Sequence, residues 1–527
     1  MNLIESPWIP VRRKSGESYI APCQLTDPDD PVLELAAPRP DFNGALLQFL
    51  IGLLQTVCPP DDSYQWAEWL EEPPPPETLR DKIQSFAHAF ELDGEGPRFL
   101  QDRHELKGDT KPISNLLIDA PGAQTLKQNA DHFIKRDSTG VLCPNCAATA
   151  LFCLQTNAPS GGAGHRTSLR GGGPLSTLVA LDPEGSNLKN DLWRACWLNV
   201  LEKGVISNLG GYDQHNELED IFPWLASTRT SEGKTGSATT SLDTNPLQMY
   251  WGMPRRIRLD WEHTTKGHCD LCGIPSDKRI SQYVTQNYGI NYEGAWKHPL
   301  SPYLINKDGE ALPQHAQPGG LNYRHWLGLV STMLTNEPAR VVREIVDGDK
   351  ILEGEQLRLH VFGYDMDNMK ARCWYETTFP LYTFEPAILE RFTARTEILI
   401  QTATDAAGMV RKCIKEAWFK RPGDAKGDTT FLMEAFLNHT EAEFYASLNR
   451  LKDQLEAGKD GKDVWRTWHS ILIRTTLELF DYWTARGDFE TVNPRRIAQA
   501  HRKLRNWLHG KKLKQTLAIS EDKEKAA

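Results

Sequence analysis

Cys143-Pro-Asn-Cys146-Ala-Ala-Thr-Ala-Leu-Phe-Cys-Leu-Gln-Thr-Asn-Ala158-Pro-Ser-Gly-Gly-Ala-Gly-His-Arg-Thr-Ser-Leu-Arg-Gly-Gly-Gly-Pro174 joins a cysteine pair, an apolar run and a glycine-rich segment. A matching pair, Cys269-Asp-Leu-Cys272, is followed by Gly273, and 122 residues separate Cys146 from Cys269. Two residues between thiolates let both sulfurs turn toward one metal, and two such knuckles complete a tetrahedral four-sulfur zinc site. That would pin two distant segments together in a structural role. Unrelated reduced thiols are the alternative, and a redox pair would need a thioredoxin-like βαβ setting, which the sequence does not show. The other six cysteines (Cys23, Cys58, Cys153, Cys196, Cys373, Cys413) are scattered singly and read as reduced core thiols.

Between Ala158 and Pro174 there are six glycines and no acid. Such a stretch lets backbone amides approach another backbone or a nucleic-acid groove closely. Arg166 and Arg170 are candidate phosphate contacts beside Gly161, Gly162, Ala163, Gly164 and His165, with Ser160, Thr167 and Ser168 as further donors. By composition alone a flexible surface loop is the favoured reading; the lack of any acid and the position just after the first knuckle argue the other way. Upstream, His132-Phe-Ile-Lys-Arg136 sets Phe133 between basic residues, so that Phe133, Lys135 and Arg136 suit stacking and pairing with nucleic acid, or an exposed turn.

A chain of 527 residues exceeds one ordinary core, and 39% hydrophobic with 25% charged residues is the composition of a globular protein. The longest apolar stretch, Ala45 to Leu54, is shorter than the roughly 20 residues of a membrane span. The N-terminus lacks the order of a secretory signal, so a cytoplasmic location and no membrane partner are expected. The net charge is −10. Residues 1–100 hold 17 acids and 7 bases, which accounts for all of it and leaves 101–527 formally neutral. A net charge of this sign argues against a nucleic-acid binder, but the neutral remainder can present local basic surfaces. Such a protein would bind DNA weakly alone and need partners to hold it there.

The pattern predicts an α+β protein: a large mixed α/β domain over 1–385 carrying the knuckles, then a four-helix bundle over 386–515, then a charged, disordered tail over 516–527. Within the first part, Met1 to Val11 and Leu175 to Leu181 read as strands. Phe42 to Val57 and Asp81 to Phe90 read as helices, and 226–244 as an exposed loop. In the second part Pro386 to Phe419, Thr430 to Leu455, Asp463 to Ala485 and Asn493 to Leu508 carry apolar residues at helical spacing.

Catalytic motifs are broken. Thr228 stands where the phosphate-loop pattern ending in Gly233-Lys234-Thr235 needs its first glycine, and Gly162-Ala-Gly164 is not followed by the third glycine of a dinucleotide fingerprint. No H-E-x-x-H occurs. A non-catalytic protein is therefore expected, with a zinc-dependent nucleic-acid-processing enzyme as the rival reading.

The order of motifs resembles the CasA family, the large subunit of the type I-E CRISPR Cascade surveillance complex. The matching features are Trp8-Ile-Pro-Val11, the Cys143/Cys146 knuckle with Ala147 to Phe152, and Ala158-Pro to Leu169-Arg-Gly-Gly172. Cys269/Cys272, Trp296-Lys-His-Pro-Leu-Ser-Pro302, Phe362-Gly-Tyr364 and a helical C-terminus follow. The resemblance implies a binding subunit that recognises the protospacer-adjacent motif (PAM) on double-stranded target DNA from the minor-groove side. It implies help in parting the strands for crRNA pairing and in recruiting the helicase-nuclease, with the other Cascade subunits and crRNA as partners. The family's glycine loop falls on Gly161, Gly162, Ala163 and Gly164. Its lysine finger falls on Asn287, and its glutamine wedge on Asn368 or Met369, with Lys370 and Arg372 as substitutes for missing charge.

Overall fold

Pro40 at the first helical position and Asp41 beside it start the helix Pro40–Val57, whose residues are buried on every side. The Asp41 carboxylate accepts from Arg39 at 2.9 and 3.1 Å and from the Tyr364 hydroxyl at 2.6 Å. Phe49 is the hub of the core: its ring lies 5.3–6.1 Å, edge-on, from those of Trp8, Phe90, Phe99, Phe152 and Trp251. The helix Pro144–Asn157, which leads from the first cysteine pair to the glycine segment, supplies Phe152 and is thereby fixed to this core.

The computed structural model describes residues 1–517 except 130–135, 163, 210–213, 234–235, 295, 349–351, 353, 368, 425–426 and 486–492. The chain divides into two compact units, Met1–Pro318 with Thr332–Tyr382, and Gly319–Ser331 with Thr383–Ala527. Together they make a mixed α/β chain with a helical C-terminal region. No helix among the described residues is long and apolar enough to cross a membrane.

In the first unit Leu357–Asp367 is the middle strand of an antiparallel sheet, between Ser176–Leu181 and Lys370–Leu381. Its register sets Phe362 against Ser176, so the strand that follows the glycine segment is tied to a hairpin far along the chain. The strand expected from Met1 begins only at Ile9. The Asn2 carboxamide oxygen accepts from the Ile4 and Glu5 amides, which turns the chain before it can extend. Likewise Pro76 takes the first helical position of Pro76–Gln84, moving that helix upstream of its expected start at Asp81, and Ala87–Phe90 is a separate tight turn.

The second unit contains the long helices Pro386–Trp418, Phe431–Glu456, Lys462–Ala485 and Pro494–Leu508. Phe392, Leu399, Ala403, Ala406, Val410 and Ile414 form the buried stripe of the first, and Trp468 from the third donates to Leu399 O and Thr402 Oγ1, both at 3.2 Å. Short helices at Tyr323–Val330 and Lys511–Thr516 complete the unit. The first is an excursion of the chain that the C-terminal patterning did not reveal; its Tyr323 hydroxyl meets Thr440 Oγ1 at 2.7 Å. His325 on the same helix is pushed down to about 4 by burial and by the Arg324 charge. Because the unfolded histidine, near 6.5, takes up a proton that the folded one resists, stability is present above about pH 6.5 and is lost as pH falls toward 4. Relative to His325→Gln, the wild-type chain is expected to lose roughly 1–2 kcal/mol between pH 7 and pH 5, read as urea-unfolding midpoints.

Candidate metal centre and nucleic-acid interface

Cys143 caps the helix Pro144–Asn157, its sulfur accepting from the Cys146 amide at 3.5 Å. Capping and the proline at the first helical position together fix the two sulfurs one turn apart. The second knuckle is the turn of the hairpin Thr265–His268/Pro275–Arg279. The Gly273 amide donates to Cys269 O at 2.9 Å and the Cys269 amide to Ile274 O at 3.0 Å. This turn needs φ +71° at Gly273, where a side chain would strain it.

Two backbone devices bring the knuckles together. Leu142 and Ile280 exchange both hydrogen bonds, at 2.9 and 2.8 Å. The Asp270 carboxylate accepts from the Gly140 and Val141 amides at 2.7 and 2.8 Å. The four sulfurs of Cys143, Cys146, Cys269 and Cys272 consequently lie within 4.8 Å of one another, with Cys143 and Cys272 3.7 Å apart. A tetrahedral zinc ion with sulfurs at about 2.3 Å sets them about 3.8 Å from each other, so the cluster fits a metal ion of that size. Hydrogen bonding with Cys143 lowers the Cys272 thiol and raises the Cys146 thiol. No cysteine is in a disulfide; of the six single ones, five are buried as expected and Cys373, on the outer strand Lys370–Leu381, is exposed.

Past the helix, the glycine segment is pinned at its base and exposed at its tip. Gly173 donates to Asn157 O at 3.0 Å and Ser168 to Ala158 O at 2.9 Å. At the tip the Gly161 amide donates to His165 O at 3.2 Å and the His165 amide to Gly162 O at 2.8 Å, a tight turn with φ +65° at Gly162 and +85° at Gly164. A Cβ on Gly161 would lie 2.5 Å from that of His165, and one on Gly164 2.8 Å from the Tyr288 ring.

The tip meets the second expected element. Tyr288 donates from its amide to Gly164 O at 2.8 Å, and Asn287 Cβ lies 3.2 Å from where a Gly164 Cβ would be. Tyr288 itself has φ +65°, a conformation that sets the Asn287–Tyr288 corner against the turn. Arg255 closes the third side: its guanidinium donates to Pro159 O, and burial lowers it to about 10, so it is still a cation at neutral pH. Burial and the charges of Arg255 and Lys111 hold His165 below the usual histidine range.

The arginines of the segment turn inward. Arg170, 3% exposed, donates to Gln48 Oε1 and, at 3.1 and 3.0 Å, to Ser176 and Ser301 Oγ. It is therefore withdrawn from the phosphate contacts expected of it, because a guanidinium enclosed on three sides cannot reach a surface ligand. The Ser168 hydroxyl is likewise spent on Gly171 O. Arg166 is half-buried and donates to Ser231 Oγ at 2.7 Å and Ser231 O at 3.0 Å. Ser231 belongs to the stretch 226–244 that composition marked as an exposed loop. In fact Ser231 and Thr239 are buried and Ala238–Thr239 pairs in parallel with Asn291–Tyr292.

The hairpin expected to carry the wedge is Leu357–Asp367/Lys370–Leu381, with Met369 54% exposed at its tip and Lys370 exposed beside it. Arg372 is held by Asp365 at 2.9 and 2.6 Å, so it cannot stand in as a free charge. A Cβ on Gly173 would lie 2.8 Å from Tyr364 Cβ and 2.9 Å from the Met366 side chain, which places the hairpin against the base of the glycine segment. Arg136 is exposed and donates to Asn129 Oδ1 at 2.9 Å. Phe133, Lys135, Ala163 and Asn368 lie outside the described residues. Sequence reasoning missed Arg255, Tyr288 and Ser231; the Tyr288-Gly289 corner was the one local signal.

The sequence model of the family described as CRISPR-associated protein Cse1 matches residues 2–479. The chain belongs to the Cse1 family. Among solved structures it is similar to Thermobifida fusca Cse1, at 17% identity and a TM-score of 0.69, covering 98% of each chain. It is similar to Thermus thermophilus CasA at 17% identity and a TM-score of 0.64, over 96% of this chain and 99% of that one. A chain of a structure described as a CRISPR RNA-guided surveillance complex gives 16% identity and a TM-score of 0.66, over 97% and 99%. At these identities the likeness shows that the Cse1 fold runs through the whole chain.

Proposed function

We propose that this Cse1-family chain is the non-catalytic large subunit of a type I-E Cascade complex, and that it recognises the PAM on double-stranded target DNA. The observation that carries this reading is the meeting of the Gly161–His165 turn with Asn287 and Tyr288 beside the cation of Arg255. A glycine turn with few side chains of its own suits the minor groove, which is narrow and presents a degenerate code, so the motif is read tolerantly. Asn287 supplies a neutral donor where the family places a lysine. Met369, with Lys370 next to it, is the wedge that helps part the first base pairs. The crRNA then pairs with the freed strand; that exchange is nearly balanced in energy and needs such a nucleus. Other Cascade subunits and crRNA supply the remaining grip on DNA, and the helicase-nuclease is recruited afterwards. The long C-terminal helices form a four-helix bundle that packs on neighbouring subunits.

The four cysteines hold zinc in this reading. Four thiolates fill a tetrahedral ion's coordination and leave no position for water or substrate, which argues for a structural ion over a zinc-dependent nucleic-acid enzyme. The test is reconstitution of the crRNA-bearing complex with and without this chain. With it, duplexes that carry the PAM are expected to bind more tightly than identical duplexes lacking it. Equal binding of both duplexes by the full complex would refute the assignment.

A further inference from the structure

Arg170 is a buried cation with an unusual set of neighbours. Among the described residues no carboxylate pairs with it, and the groups that meet its Nη atoms are the neutral side chains of Gln48, Ser176 and Ser301. Burial lowers it only to about 10, so it is charged at neutral pH. An isolated buried charge costs several kcal/mol unless something compensates it.

Beside Arg170 lies a cavity of ≈20 Å³ whose lining includes Gln48, Gln155, Tyr250 and His298. That is room for about one particle of water size or slightly larger. Several of the lining side chains are donors. The Tyr250 hydroxyl is buried and has no hydrogen-bond partner among the described residues. His298 accepts from the Leu300 amide on Nδ1 at 3.1 Å, and burial keeps the ring neutral, so its proton is on Nε2. The rings of Tyr250 and His298 are 5.0 Å apart, edge to face, and both residues line the cavity together with Arg170. The amide oxygens are already taken: Gln48 Oε1 accepts from Arg170 and Ser176, and Gln155 Oε1 from the Arg255 amide at 2.9 Å.

We propose that this cavity binds one small monovalent anion of chloride size, held by the Arg170 guanidinium, the Tyr250 hydroxyl and the His298 Nε2–H. A single negative charge balances the guanidinium, and the two neutral donors complete its shell. A water molecule would satisfy the hydroxyl but leave the charge unbalanced. Since Arg170 is followed directly by Gly171 to Gly173, the ion braces the end of the glycine segment where it enters the strand Ser176–Leu181.

The test uses the purified full chain in sodium chloride or sodium gluconate at equal concentration. Chloride is expected to raise Tm by about 2 °C over gluconate, because a ligand that binds only the folded state stabilises it. In Tyr250→Phe, which keeps the charge and removes one donor, that increment is expected to fall by at least about half. Crystals soaked in sodium bromide are expected to show an anomalous peak between Arg170 and Tyr250. Equal Tm in the two salts, a chloride increment unchanged in Tyr250→Phe, or no bromide at that point would each overturn the proposal.

Discussion

If the four cysteines hold zinc as proposed, Cys146→Ser is expected to abolish metal binding and to destabilise the first unit by about 4 kcal/mol or more, the range associated with losing a structural metal. The reason lies in how little else holds the second knuckle. The hairpin Thr265–His268/Pro275–Arg279 is exposed or half-exposed at every strand position, so it has no apolar core of its own. Beyond the Leu142–Ile280 bridge, the Asp270 carboxylate and the Lys278–Asp93 ion pair at 2.9 Å, the sulfur cluster is its anchor. Metal analysis of the purified chain should give one zinc per wild-type molecule and none in the variant. Limited proteolysis should then cut the variant within 262–280. A variant that retains both metal and wild-type stability would show that these thiols are merely close together.

Gly164→Val is expected to weaken target binding by the assembled complex about 100-fold, equivalent to ~2.7 kcal/mol, while the complex still assembles. Two effects act together. At φ +85° a β-branched residue is strained by about 1–2 kcal/mol, and the new Cβ would lie 2.8 Å from the Tyr288 ring. Relief of that clash separates the turn from the Asn287–Tyr288 corner, which dissolves the proposed reading surface. Gly96→Val is the control: it faces open space at an ordinary φ and should leave binding unchanged. Affinities must be compared at one salt concentration, because phosphate contacts make DNA binding steeply salt-dependent.

The two C-x-x-C pairs were legible because their chemistry is local, two sulfurs per turn. What joined them was not, since it depends on Leu142 pairing with Ile280 and on Asp270 reaching two amides more than a hundred residues away. The glycine turn was likewise visible in composition, whereas the direction of its arginines was not. Arg170 reads as a surface cation until Gln48, Ser176 and Ser301, from three separate parts of the chain, close around it. Arg372 misled in the same way, since it falls at the hairpin's bulge, between the Asp365–Cys373 and Met366–Ala371 pairs, and its guanidinium turns back onto the Asp365 carboxylate. Helices with a proline start and an apolar stripe, such as Pro40–Val57 and Pro386–Trp418, were legible almost to the residue. The excursion Gly319–Ser331 was not, because a short amphipathic stretch carries no mark of which core it joins.

Backbone hydrogen exchange in the assembled complex tests the reading surface without altering it. On adding duplex DNA that carries the PAM, amides of residues 160–166 and 287–289 are predicted to slow their exchange, and to do so less with a duplex lacking the motif. Unchanged exchange in both segments, with DNA demonstrably bound, would contradict the account.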